Sequence, residues 1–128
     1  MIYIDSSIAL AHLLVEARIP SESFWDAPLV SSQLLQYEVW NRIHAYGLSG
    51  SHRDAATAVI GRVVLVELTR LALGRALEPF PIPVRTLDAL HLATVEFLQA
   101  QGEPVELASY DNRLLAAARA LGIPIAAL

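Results

Sequence analysis

Leu87, Ala89, Leu90, Leu92, Ala93, Val95, Phe97 and Leu98 leave little room for a polar face on a helix predicted over 87–101. A helix apolar nearly all round has to be covered on most sides, so it belongs inside a layered fold. Thr86 stands where an N-cap hydroxyl would meet an unpaired first-turn amide, and Gly102 stops the helix. Asp88 falls in the first turn. The positive end of the helix dipole favours an anion there. Asp88 therefore reads either as a dipole-stabilised acid or as a metal ligand.

Strands and helices alternate along the rest of the chain. Residues 1–5 are apolar up to Asp5 and read as a buried parallel strand. Ser6 and Ser7 cap a short helix from Ile8 to about Glu16, and Pro20 sits at a further helix start. Residues 28–31 read as a second strand. Ser32 caps a helix over 33–46, with Leu34, Leu35, Val39, Ile43 and Tyr46 as its apolar stripe and Gly47 at its end. A helix over 53–61, the β-branched run 63–66 and a helix over 69–77 follow. The alternating prolines of 78–83 allow neither helix nor central strand. Residues 105–109 read as strand, 112–121 as the last helix, and 123–125 as an edge strand where Pro124 is tolerable. This alternation predicts an α/β fold. One domain spans 1–128, with a central, mostly parallel sheet flanked by helices.

In such sheets ligands bind beyond the carboxyl ends of the strands. Asp5 ends the first strand, and the strand at 105–109 stops just before Asp111. Glu38 lies about two turns into the helix after the second strand, and Asp88 opens the central helix. All four acids can therefore point into one crevice. Carboxylates without sulfur suit hard cations, Mg²⁺ or Mn²⁺. Without a cation, four such groups repel and one or more takes up a proton. With a cation, the arrangement commonly serves phosphoryl transfer.

Charge and composition narrow the field. The net charge is −4, from 13 acids and 9 basic residues, all of them arginine. Apart from the four acids named above, the remaining acids balance the arginines. The excess negative charge is thus assigned to one site and does not argue against a nucleic-acid partner. The absence of lysine removes Schiff-base chemistry, P-loop phosphate binding and a response-regulator receiver. A haloacid-dehalogenase-type phosphatase needs a second Asp at position 7, which is serine. There is no cysteine, hence no disulfide framework and no thiolate metal site. No apolar run reaches the length of a membrane span, and the N-terminus lacks a signal-peptide pattern. A cytoplasmic location without membrane association is the expectation.

Four motifs in order carry a family resemblance. They are Ile2-Tyr3-Ile4-Asp5-Ser6-Ser7, Glu38, Leu87-Asp88-Ala89-Leu90-His91-Leu92-Ala93-Thr94, and Ser109-Tyr110-Asp111-Asn112-Arg113-Leu114 with Ala117 and Gly122. Together they resemble a PIN domain and, more narrowly, a VapC-type toxin ribonuclease of a toxin–antitoxin pair. The resemblance implies a Mg²⁺- or Mn²⁺-dependent endoribonuclease that leaves 5′-phosphate and 3′-hydroxyl ends. Asp5, Glu38 and Asp88 match its core metal ligands, and Asp111 a looser fourth. Ser7 and Ser109 match supporting hydroxyl positions. It also implies a cognate antitoxin clasped by the helices after strands one and two, an RNA substrate, and a homodimer. An antitoxin arginine entering the crevice would replace metal charge with guanidinium.

Other residues have two readings. His91, three after Asp88, is expected to pack and hydrogen-bond near the core rather than bind phosphate. His12, His44 and His52 lack metal-ligand spacing and read as surface residues. Arg42 is spaced for an intrahelical ion pair with Glu38, or for a phosphate at the crevice rim. Arg113 carries the same ambiguity beside Asp111. Phe24, Trp25, Tyr37 and Trp40 divide between core and interface. Two alternatives to a toxin ribonuclease stay open: a PIN-like RNA- or protein-binding module without turnover, and a PIN nuclease of RNA processing or of DNA.

Overall fold

The computed structural model describes residues 1–128. Its elements, in order, are β1 (Ile2–Ile4), α1 (Ser6–Leu14), a 3₁₀ turn (Glu22–Asp26), β2 (Leu29–Ser32), α2 (Leu34–Ala45), α3 (Ser49–Gly61), β3 (Val63–Val66), α4 (Arg70–Ala76), α5 (Thr86–Ala100), β4 (Glu106–Ala108) and α6 (Asn112–Ala120). The four strands form one parallel sheet in the order β3-β2-β1-β4.

Alternation along each strand divides the apolar side chains between two cores. Ile4, Leu29, Val63 and Ala108 face α1, α2, α3 and the 3₁₀ turn, whose Phe24 and Trp25 are buried there. Tyr3, Val30 and Leu107 face α5 and α6. A parallel sheet covered on both faces needs strands apolar on both sides, as these are.

α5 lies where its sequence requires. It packs against α4 on one side and against the sheet on the other, with Leu92 and Val95 fully buried. It is open only at its two ends: in the first turn, where Leu87 is 45% exposed, and at Ala100. Leu92→Ala should therefore cost about 2–5 kcal/mol, the range for a buried leucine whose site cannot collapse. A urea midpoint lowered at unchanged slope would show it; an unchanged midpoint would mean that α5 does not anchor the fold.

Three local expectations are corrected. The N–H of Ala89 donates to the Arg85 carbonyl at 2.9 Å, which makes Arg85 rather than Thr86 the N-cap of α5. Asp5, not Ser6 or Ser7, caps α1, and both serines lie in its first turn. The edge strand at 123–125 reduces to a single bridge between Leu107 and Ile125. The Pro124 carbonyl accepts from the N–H of Leu107, and the N–H of Ala126 donates back to the Leu107 carbonyl. Pro124 has no N–H with which to extend the ladder.

In the order β3-β2-β1-β4, the chain leaves β1 toward one neighbour and reaches β4 on the other side much later. The crevice beyond the carboxyl ends of β1 and β4 is the switch point where such folds bind ligands.

Candidate active site

The switch-point crevice is a cleft of about 560 Å³ whose lining includes Asp5, Ser7, Glu38, Arg42, Arg85, Asp88, His91 and Asp111. All four acids singled out from the sequence meet there. A larger cavity, about 680 Å³, lies between α4, the proline-rich stretch and α5; it is mainly apolar and holds none of the four.

Each acid is held differently. Asp5 is 6% exposed and accepts from the Ser7 hydroxyl at 2.6 Å and from the Ser109 hydroxyl at 3.0 Å. Those hydroxyls in turn accept the N–H groups of Tyr110 and Asp111, both at 2.9 Å. The turn after β4 is thus fastened to the end of β1. Burial raises the Asp5 carboxyl to about 6, helped by the Glu38 charge and opposed by the two serines and His91.

Glu38 projects from α2. His91 Nε2 lies 2.6 Å from one of its carboxylate oxygens, and the Ser6 hydroxyl donates to the other at 3.4 Å. Asp88, in the first turn of α5, is raised above the ordinary carboxylate range by burial and by the charge of Asp111; Arg85 opposes the shift. Asp111 has a structural task of its own. One oxygen caps α6, accepting from the N–H groups of Arg113 and Leu114 at 2.9 and 3.3 Å. Only its second oxygen is left for the cleft.

Arg85 is the functional candidate that the sequence reading missed. Its guanidinium lies 3.0 Å from Asp111 and 3.4 Å from Asp88. Its i, i+3 spacing from Asp88 is a usable signal only once the helix start is known. At 63% side-chain exposure, Arg85 is held loosely and is displaceable.

The other singled-out residues fall as follows. Arg42 lines the cleft and makes no ion pair with Glu38; its guanidinium lies 5.8 Å from the Tyr46 ring centroid. Arg113 lines a neighbouring cavity that shares Arg85 and Asp88 with the cleft. His12 and His44 are exposed and lean on Trp25 and Trp40, while His52 is half-buried beside Ser51. His91 is 1% exposed, packed in the core and in contact with the site at once.

The donor set fits a hard divalent cation in its chemistry: all oxygen, with two carboxyls raised by burial and mutual repulsion. It is not a ready-made cage. No group of three His, Cys, Asp or Glu side chains converges as a metal site, because serines, His91 and Arg85 hold the acids one by one.

A parallel α/β sandwich with acids at its switch point defines the class: a nuclease-type PIN fold. Comparison with known proteins agrees. Ribonuclease VapC46 of Mycobacterium tuberculosis is 34% identical over 100 residues, covering 78% of this chain and 74% of its own. Ribonuclease VapC47 of the same species is 32% identical over 130 residues, covering 95% and 93%. The crystal structure of M. tuberculosis VapC20, a Sarcin-Ricin loop cleaving toxin, superposes with a TM-score of 0.65 at 18% identity, over 91% of this chain and 95% of that one. No protein-family model matches the chain. The chain belongs to the VapC family of toxin ribonucleases, and its activity is that of an endoribonuclease. No helix is long and apolar enough to cross a membrane.

Proposed function

We propose that residues 1–128 act as one nuclease domain that hydrolyses RNA with Mg²⁺ or Mn²⁺ held by Asp5, Glu38 and Asp88. Asp111 acts as a looser fourth ligand. That all four carboxylates line one cleft carries the reading. When bound, the ion supplies a water of lowered pKa and positive charge for the scissile phosphate. The chain's own residues prepare for that. Ser7 and Ser109 fix both oxygens of Asp5, and Asp111 can spare only one oxygen because the other caps α6. Arg42 and Arg85 in the cleft, with Arg113 in the neighbouring cavity, supply phosphate contacts. Water attack at phosphorus with the 3′ oxygen as the leaving group gives 5′-phosphate and 3′-hydroxyl ends.

The partners proposed are a cognate antitoxin and a second copy of the chain. Leu71 and Leu77, 72% and 88% exposed, lie on and just after α4, and Leu77 lines the apolar cavity; apolar surface there supports a protein partner. The Arg85 guanidinium between Asp88 and Asp111 supports an antitoxin arginine as inhibitor, since that is where a guanidinium is already accommodated.

The test is cleavage of a mixed RNA pool by antitoxin-free protein with Mn²⁺ or Mg²⁺, beside an EDTA control, with product ends mapped. Cuts that need the metal and leave 5′-phosphates are expected. Cleavage that persists in EDTA, or leaves 2′,3′-cyclic phosphates, would overturn the mechanism.

A further inference from the structure

Behind Glu38 a chain of hydrogen bonds runs into the core. The backbone N–H of Ser32 donates to the Tyr3 hydroxyl oxygen at 3.1 Å. The same hydroxyl lies 2.7 Å from His91 Nδ1, and His91 Nε2 lies 2.6 Å from Glu38 Oε1. Tyr3 is fully buried and His91 is 1% exposed, so each polar atom in the chain needs a protein partner. We propose that Tyr3 and His91 are positioning residues: they fix one imidazole tautomer, and through it the Glu38 carboxylate.

The direction of the chain follows from counting protons. A backbone N–H can only donate, so the Tyr3 oxygen receives the Ser32 proton and sends its own onward. Ser31 and Thr94 spend their own protons on the Ile4 and Leu90 carbonyls, at 2.6 and 2.7 Å, so neither donates to the Tyr3 oxygen. Its short contact, 2.7 Å, is with His91 Nδ1; we assign the Tyr3 proton to that nitrogen, which is then bare. The imidazole proton is left on Nε2, aimed at Glu38 Oε1. This order satisfies every donor with one imidazole proton. The opposite tautomer would set a bare nitrogen against a carboxylate oxygen at 2.6 Å.

The consequence for the site is geometric. Glu38 has a long side chain, and its Oε1 is pinned from behind. The carboxylate plane is set, and Oε2, met only by the 3.4 Å Ser6 contact, remains for the cleft. The same chain ties together the segments carrying three of the proposed ligands. Tyr3 lies two residues before Asp5, Ser32 six before Glu38, and His91 three after Asp88. Hydrogen bonds to a group that orients a ligand typically matter about 10–100-fold to metal affinity.

The inference rests on Glu38 acting as a ligand, and its test separates the two. In metal-free protein, long-range ¹H–¹⁵N NMR of His91 is expected to show Nε2 protonated and Nδ1 bare. Tyr3→Phe keeps the ring and removes the hydroxyl; it should broaden or lose that signature. It should also weaken Mn²⁺ binding, read by the EPR signal of free Mn²⁺, by about tenfold, while KM for RNA at saturating metal stays unchanged. His91→Gln, whose amide can still donate to Glu38, should bind Mn²⁺ more tightly than His91→Leu; this pair carries the test should Tyr3→Phe not fold. A proton found on Nδ1 in the wild type would overturn the proposal. So would unchanged Mn²⁺ affinity in Tyr3→Phe when Glu38→Gln loses it. If Glu38→Gln itself binds Mn²⁺ normally, the ligand reading fails and takes the relay's role with it.

Discussion

Asp88→Asn is expected to lower RNA cleavage by more than about 100-fold, without unfolding the protein. Losing a group that merely orients a ligand costs about 10–100-fold, so losing the ligand charge itself should cost more. The fold should tolerate the change because asparagine preserves the shape of a half-buried side chain. It also relieves a strained arrangement: burial and the neighbouring Asp111 both disfavour the Asp88 charge. Arg85 keeps its shorter contact, 3.0 Å to Asp111, so the first turn of α5 retains one tether. The measurement is single-turnover cleavage of a defined RNA at matched protein and Mn²⁺ concentrations, with a thermal melt as control. A variant that folds normally and cuts within a few-fold of wild type would remove Asp88 from the catalytic set.

Asp5→Asn is expected to do two opposite things: abolish cleavage and raise the stability of the metal-free protein. The sign follows from the proton balance. In the unfolded chain an aspartate titrates near about 3.9. In the fold, burial raises Asp5 to about 6. Between those values the native state binds more protons than the unfolded one. The contribution of Asp5 to stability is then fully present below about pH 4 and is lost as pH rises through about 6. At pH 7.5 the wild type holds a desolvated carboxylate, and two serine hydroxyls only partly compensate it. Asparagine removes that charge. Those hydroxyls can rotate to serve either amide atom, so little hydrogen bonding is lost. In EDTA the variant should melt about 2–6 °C above wild type at pH 7.5, with the difference shrinking toward pH 4.5. Mn²⁺ should raise the wild-type melting temperature and leave the variant nearly unmoved, because only a native-state site converts ligand into stability. If the gap between the two proteins instead widened toward acid pH, the buried-charge account of Asp5 would be wrong.

Such a trade of stability for chemistry is expected at a functional site. It also explains how the acids wait when no cation is present. Serines hold Asp5, an imidazole holds Glu38, and an exposed arginine stands between Asp88 and Asp111. A divalent ion bound there, as proposed, would compete with these partners for the carboxylates.

Much of this was legible in the residues alone. The alternation of strand and helix segments specified a mostly parallel sheet flanked by helices, because parallel neighbours need a crossover between them. The near-continuous apolar surface of residues 87–98 placed α5 inside the fold, and the ends of the strands located Asp5 and Asp111 at one rim. Glu38 and Asp88 followed from helix spacing. Where local rules compete, the outcome was not legible. The start of α5 moved by one residue, because a backbone bond to Arg85 closes the turn that Thr86 would have capped. Ser6 and Ser7 were expected to cap α1; the helix begins at Ser6 with Asp5 in the cap position, and the two hydroxyls turn instead to Glu38 and Asp5.

The sequence by itself determined the class of fold, the four acids and their order, and the absence of any lysine or thiolate chemistry, since these depend on residue type and local period. Only the tertiary structure decided which partner each acid takes. It brought Ser109 across the chain to Asp5, Arg85 to Asp111, and Tyr3 through His91 to Glu38, over separations of 104, 26, and 88 and 53 residues. Side-chain hydrogen bonds act over about 3 Å. No periodicity along the chain reports them until the sheet has closed the distance.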